Sequence, residues 1–117
     1  MTHEEKKVAK IVEELTLFFF AIGANHMESG ISRQEKQVII TFEADYLAEF
    51  EDKIHSLEKY MNEPKNEGFE DIYWELAGSG DPGESSQLLL IGMMIDKAEI
   101  EHGVDHVKLK LYKELLD

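Results

Sequence analysis

The stretch "LLLIGMMIDKAEIEHGVDHVKLKLYK", residues 88–113, decides the fold class of this chain. Its first part is apolar almost all round and predicts the final turns of a central helix that runs from about Ser85 to Ile95. From Lys97 the pattern changes to alternation, which predicts two strands joined by a turn at 103–105. A helix followed directly by a β-hairpin is typical of a domain whose helices cover one face of an antiparallel sheet.

The predicted hairpin has an apolar face and a charged face. The apolar set consists of Ala98, Ile100, Val107, Leu109 and Leu111. On the other face we expect Glu99 and Glu101 to lie opposite Lys108 and Lys110, and each such cross-strand pair contributes roughly 0.2–1 kcal/mol. The apolar face is therefore expected to meet the core, and the charged face to meet water or a partner.

The N-terminal segment predicts a long helix from about residue 3 to the mid-twenties, ending near Gly23. Thr2 and Glu5 have the spacing of a capping box, in which each side chain satisfies a backbone donor of the first turn. The apolar positions at helical spacing are Val8, Ile11, Val12, Leu15, Phe18, Phe19 and Ile22. Leu17 and Phe20 widen this stripe, so the helix is expected either to be deeply sandwiched or to face a second subunit.

Between these segments the sequence predicts one more strand and two more helices. Residues 37–44 alternate and predict a half-buried strand, with its inward set being Val38, Ile40, Phe42 and Ala44. Asp45 is expected to cap a second helix that ends at Asn62, with an apolar stripe of Leu47, Phe50, Ile54, Leu57 and Met61. A short third helix is predicted over 69–77.

Together these elements predict a single α+β domain, 1–117. We expect a two-layer sandwich in which three or four helices cover one face of a small, mostly antiparallel sheet of three or more strands.

The charge balance excludes several classes of partner. Twelve Lys and Arg against 25 Asp and Glu leave a formal net charge of −13. Such a surface repels phosphate backbones and anionic lipids, so we expect neither nucleic acid nor a membrane as partner.

The chain has no cysteine, which excludes disulfides and fits the reducing cytoplasm, where we expect the protein to be. The longest apolar run, 15–24, is about half of what spans a bilayer, and we identify no signal peptide.

A glycine loop precedes the central helix and has the spacing G-x-G-x-x-G, with Gly78, Gly80 and Gly83. Glycines let backbone donors approach a phosphate closely. A dinucleotide fingerprint needs a strand before it, however, and here a helix is predicted. Asp81 and Glu84 also place negative charge where phosphates would lie. We therefore favour a structural loop and keep phosphate binding as the alternative.

The histidines suggest a weaker hypothesis, a small metal-dependent enzyme that uses His102, Asp105 and His106. Four-residue spacing in a hairpin turn does not place two side chains on one face as it does in a helix. We therefore favour a solvated turn and predict no metal site. His26 and His55 have no convincing partner in the sequence.

Residues 78–113 resemble the closing segment of the histidine-kinase and anti-sigma-factor ATPase superfamily, often called GHKL. In anti-sigma kinases this segment has a glycine-rich loop, a helix of the form L-x-L-I-x-x-L-M-D, a strand, a turn and a last strand ending in basic residues. The matching positions are Leu88, Leu90, Ile91, Met94, Ile95, Asp96, Glu99, Ile100, Leu109, Leu111 and Lys113. In this resemblance, residues 13–15 correspond to the helix that carries the family's metal-binding asparagine.

Two departures from the family pattern concern its nucleotide ligands. The family places an asparagine four residues after a glutamate, but the position four residues after Glu14 is Phe18, and after Glu13 it is Leu17. The Asp-x-Gly-x-Gly motif that binds adenine should follow a strand, whereas 37–44 is followed by "DYLAEFEDK". We interpret the chain as a shortened relative that has lost its nucleotide machinery.

The leading hypothesis is therefore a non-catalytic regulatory or protein-interaction domain without a cofactor. It would bind a protein partner or itself as a homo-oligomer, through Phe18, Phe19 and Phe20 or through the charged sheet face. The alternative is an ATP-binding, Mg²⁺-dependent serine/threonine kinase of anti-sigma type, with Glu14 as base and the glycine loop as nucleotide lid.

Overall fold

The computed structural model describes residues 2–62 and 91–115. The predicted third helix, the glycine loop and the first part of the helix predicted from Ser85 lie outside these residues. Within them, helices and a single antiparallel sheet form a two-layer α+β sandwich, as the sequence predicts.

Helix α1, His3–Ala21, begins with the predicted capping box. The Glu5 backbone N–H donates to Thr2 Oγ1 at 3.1 Å, and the Thr2 N–H donates to Glu5 Oε1 at 2.8 Å. The chain leaves the helix through Ile22 and Gly23, and Gly23 has a φ of 86°, a left-handed conformation that a side chain disfavours. The predicted start of α1 is confirmed, and the helix ends at Ala21, slightly earlier than the predicted mid-twenties.

The sheet has four strands: β1 Met27–Gln34, β2 Gln37–Asp45, β3 Lys97–His102 and β4 His106–Glu114. Their spatial order is β1-β2-β4-β3, and all neighbours are antiparallel. The predicted hairpin of β3 and β4 is confirmed, with Glu99 opposite Lys110 and Glu101 opposite Lys108.

Strand β1 was not predicted from the sequence. It lies at an edge of the sheet and nearly all of its residues are exposed, so it lacks the apolar alternation that identifies a half-buried strand. A tight connection through Glu35 and Lys36 pairs it with β2, and Glu35 has a left-handed φ of 55°.

Helix α2, Glu51–Met61, starts later than predicted and follows a short 3-10 helix, Ala48–Phe50. Asp45 does not cap it, which corrects the prediction. Asp45 is the last residue of β2, and its Oδ1 accepts the backbone N–H groups of Asn25 at 2.8 Å and His26 at 3.0 Å. Leu47, placed in the apolar stripe by the sequence, is 45% exposed because it precedes the helix.

The core lies between α1, α2, the helical residues 91–94 and one face of the sheet. Each predicted inward residue of β2 and β4 is buried there. The Phe19 ring stacks on Phe42 with 5.2 Å between ring centroids, and Phe18 meets Phe19 edge-on at 5.1 Å. Ile91, Met94 and Ile95 are buried, which confirms the central position of their segment. Across 2–62 and 91–115, no helix has the length and apolar content needed to cross a membrane.

Candidate functional site

The outer face of the sheet is one candidate functional surface in the described part of the chain. The outward side chains of the two central strands include Ile39, Thr41 and Glu43 on β2 and Lys108, Lys110 and Tyr112 on β4. Every helix among the described residues that packs on the sheet does so on the opposite, apolar face. On this outer face Thr41, Lys108 and Lys110 are exposed, and Ile39, Glu43 and Tyr112 are half-buried.

A groove of about 670 Å³ runs across this outer face. Gly30 and Thr41, which are register partners, are among the residues that line it. A Cβ on Gly30 would lie 2.8 Å from Thr41 Oγ1, so a side chain at this position would crowd the groove. The absence of a side chain at Gly30 therefore helps to create the depression.

The charged residues that line the groove are four glutamates and two lysines: Glu28, Glu43, Glu99, Glu101, Lys108 and Lys110. Glu43 Oε1 lies 2.8 Å from His106 Nε2. The Tyr112 hydroxyl donates to Glu99 at 2.7 Å, and this bond, with the charges of Lys97 and Lys110, lowers the pKa of the Glu99 carboxyl.

Lys108 and Glu101 are in register but form no ion pair with each other or with another described residue. Their charges are thus available to a partner.

A second cluster lies on the opposite side of the sheet, where the end of β3 meets α2. Glu51 and His55 are four residues apart and share one face of α2, and His102 ends β3 on its helix-facing side. One ligand atom from each of the three residues lies within 4.8 Å of the other two. Glu58 Oε1 lies 2.6 Å from His102 Nδ1, and the two histidine rings meet edge-on at 5.5 Å.

The pKa of the Tyr46 hydroxyl is affected by the negative charges of this region. The ring of Tyr46 is buried, and its hydroxyl donates to the Gly103 carbonyl at 3.2 Å. Burial raises the pKa of the Tyr46 hydroxyl, and the charges of the Glu51, Asp105 and Glu58 carboxylates raise it further. A cation bound near Glu51 and Glu58 would be stabilised by the same potential.

The cluster of Glu51, His55 and His102 was not predicted from the sequence. The sequence predicted correctly that His102 and His106 would not share a face, since His106 points to the outer face and pairs with Glu43. It missed that His102 meets His55, because residues 63–90 separate α2 from the segment that contains β3 in the chain. The i, i+4 spacing of Glu51 and His55 on a predicted helix was the available signal.

The three phenylalanines proposed as an interaction surface lie in different environments. Phe18 and Phe19 are 1% and 0% exposed, so their place in an interaction surface is corrected: they pack in the core of their own chain. Phe20, at 63% exposed, is the one of the three that faces solvent.

Glu14, the candidate base of the alternative reading, is buried in α1 with a side chain 3% exposed. Lys10 Nζ lies 2.9 Å from its Oε1, whereas its Oε2 has no hydrogen-bond partner among the described residues. Burial opposes the charge of Lys10, but the hydrogen bond and charge of Glu14 outweigh it and raise the pKa of Lys10. The other residues of that reading, Gly78, Gly80 and Gly83, lie outside the described residues.

Comparison of the chain with protein-family models, with curated proteins and with solved structures finds no match.

Proposed function

We propose that this chain is a non-catalytic regulatory domain of the cytoplasm, with a reduced histidine-kinase-like ATPase fold, that binds a second copy of itself through the outer face of its sheet. The observation that carries the proposal is the composition of the two central strands. Their register partners on this face are Ile39 with Tyr112, Thr41 with Lys110, and Glu43 with Lys108. The two side chains of each pair would also attract each other if one came from each of two copies of the chain.

In the proposed dimer the outer faces of two sheets stack on each other. The two-fold axis lies between the two sheets, runs parallel to the strands and passes above the line between β2 and β4. Each outward residue of β2 then lies over its own register partner on β4 of the second copy. Glu43 then faces Lys108, and Ile39 faces Tyr112, on both sides of the axis. Stacked sheets keep their strands within about 30° of each other, so this arrangement is an ordinary packing geometry. Glu28 and Glu101 meet near the rim, where solvent screens their repulsion.

The area of the face is compatible with a weak dimer. Four strands about 4.8 Å apart, each about eight residues at 3.3 Å, cover on the order of 500 Å² per copy. The total, on the order of 1,000 Å², is at the low end for specific interfaces. The large net negative charge also opposes association, so we expect dissociation in the micromolar range or weaker.

The fold assignment rests on the resemblance of residues 78–113 and on the order of the described elements. The helical residues 91–94 come directly before the closing hairpin of β3 and β4, which is the order that the resemblance implies for its closing segment. Phe18, at the position of the family's asparagine, is buried and offers no oxygen to Mg²⁺. This supports the non-catalytic reading.

Sedimentation equilibrium with charge variants tests the proposal. We expect Lys108→Glu to weaken dimerisation at least tenfold, because it places two carboxylates opposite each other. The double variant Glu43→Lys with Lys108→Glu should restore it, since the pair is exchanged. Lys53→Glu, the same charge change at an exposed position of α2, is the matched control and should leave the dimer unchanged.

A wild-type chain that stays monomeric at millimolar concentration contradicts the proposal. Dimerisation that responds equally to Lys53→Glu and Lys108→Glu contradicts the assigned face.

The orphaned Oε2 of Glu14 favours a second candidate, the ATP-binding serine/threonine kinase. A nucleotide present at a hundred times its dissociation constant stabilises the folded state by about 2.7 kcal/mol. Thermal unfolding with millimolar Mg-ATP should therefore show a clear upward shift for a kinase and none for the non-catalytic domain.

A further inference from the structure

The geometry points to a divalent transition-metal site, of the kind that takes Zn²⁺, formed by Glu51, His55 and His102. Two imidazoles and one carboxylate suit zinc and similar ions, whereas Mg²⁺ and Ca²⁺ prefer oxygen ligands alone. The site is separate from the groove, because His102 points to the helix-facing side of the sheet.

The ligand atoms are already close to binding distance. They lie within 4.8 Å of one another, and tetrahedral zinc holds its ligand atoms about 3.3 Å apart. The residues that carry them are exposed, so small side-chain rotations can close this difference without disturbing the core. Glu51 and His55 are held on adjacent turns of α2, which fixes their relative position in advance.

Glu58 is the independent observation that favours a metal over a chance cluster. Its Oε1 lies 2.6 Å from His102 Nδ1, yet this oxygen is buried and has no hydrogen-bond partner among the described residues. A small rotation of the imidazole would let the Nδ1–H donate to this buried acceptor and would leave Nε2 for a metal. A carboxylate behind a ligating histidine fixes the tautomer and the ring orientation, and it makes the imidazole a better ligand. Glu58 lies three residues after His55, on the same side of α2.

The electrostatics agree with this assignment. The carboxylates of Glu51 and Glu58 together carry the charge that neutralises one divalent ion. Burial raises the pKa of the Tyr46 hydroxyl, and the charges of these two carboxylates, together with that of Asp105, raise it further. A bound ion would join α2 to the end of β3, two elements that come from opposite sides of residues 63–90 in the chain.

Isothermal titration of the tag-free protein with Zn²⁺ tests the site. We expect one ion per chain with a micromolar dissociation constant, at least tenfold weaker in His55→Ala and in His102→Ala. His106→Ala, which removes a histidine paired with Glu43 on the outer face, is the matched control and should bind as the wild type does. Glu58→Gln should weaken binding by about 10–100-fold, as expected for loss of a carboxylate behind a ligand.

Co²⁺ gives a readout that does not depend on the variants, since a tetrahedral site with nitrogen ligands produces visible absorption that Zn²⁺ then removes. Mg²⁺ should neither bind nor compete. Circular dichroism of each variant checks that the fold is retained. An absence of Zn²⁺ binding, or binding that His55→Ala and His102→Ala leave unchanged, overturns the assignment. Binding that is lost in His106→Ala instead also overturns it.

Discussion

Gly92 lies where the helical residues 91–94 pass the end of α2. A Cβ at this position would overlap the Tyr60 carbonyl oxygen and would lie 2.9 Å from the carbonyl carbon. Both are backbone atoms, which cannot rotate away as the end of a side chain can. The close approach of these two segments therefore requires glycine at position 92.

We expect Gly92→Ala to lower the free energy of unfolding by about 1–3 kcal/mol, the usual cost of overpacking a close contact. Gly103→Ala is the matched control, since a Cβ there would meet no atom within 4 Å. Urea unfolding measures both changes. Equal stability of the two variants would contradict the close packing of 91–94 against α2.

At the scale of elements, an ion-pair cluster ties the first turn of α1 to the end of β4. Lys113 continues the inward set of β4, and its Nζ lies 2.8 Å from Glu4 Oε2. Lys7 Nζ lies 3.6 Å from the other oxygen of Glu4. Burial by itself would raise the pKa of the Glu4 carboxyl, but the hydrogen bonds and charges of Lys113 and Lys7 outweigh it and lower that pKa.

The lowered pKa of Glu4 predicts a loss of stability in acid. A carboxyl whose pKa is lower in the folded state stabilises the fold above its unfolded pKa of 4.5, and this contribution is lost as the pH falls through the folded value. Because the group is partly solvated, we expect less than about 1 kcal/mol. Thermal unfolding of wild type and Glu4→Gln between pH 7 and pH 3 measures it.

The Glu4→Gln variant should be less stable than the wild type at neutral pH and should approach it below pH 4. A difference that is independent of pH would contradict the ion pair and indicate a packing effect instead.

At the scale of the whole molecule, the excess of carboxylates opposes compaction. Twenty-five acidic against twelve basic side chains repel one another more in the folded state, where they are closer together, than in the unfolded chain. Among the described residues, more than half of the carboxylates have no ion-pair partner. Repulsion between unpaired surface charges is therefore expected to dominate over their attractions.

Added salt should consequently stabilise the protein. Raising NaCl from 10 mM to 300 mM shortens the screening length from about 30 Å to less than 8 Å, so repulsion across the surface weakens while contact pairs are affected less. We expect the thermal midpoint to rise by a few degrees, measured by circular dichroism at low protein concentration. A midpoint that falls with salt would indicate that the ion pairs outweigh the net charge.

The amino-acid pattern alone predicts the elements that have one buried face. The periodicity of α1, β2, β3 and β4 follows from which side chains leave water, so the inward sets could be predicted from the pattern alone. The capping box of Thr2 and Glu5 is local in the chain and was equally predictable. Strand β1 could not be predicted this way, because an exposed edge strand buries too little to leave a pattern.

Which residues from distant parts of the chain come into contact depends instead on how the elements pack. Phe18 and Phe19 are buried, because this face of α1 packs on the sheet of its own chain. The packing brings His102 to Glu51 and His55 across a long separation in the chain, and it aligns β2 beside β4 to form the groove. Such contacts depend on how elements pack, and periodicity contains no information about which distant element lies opposite.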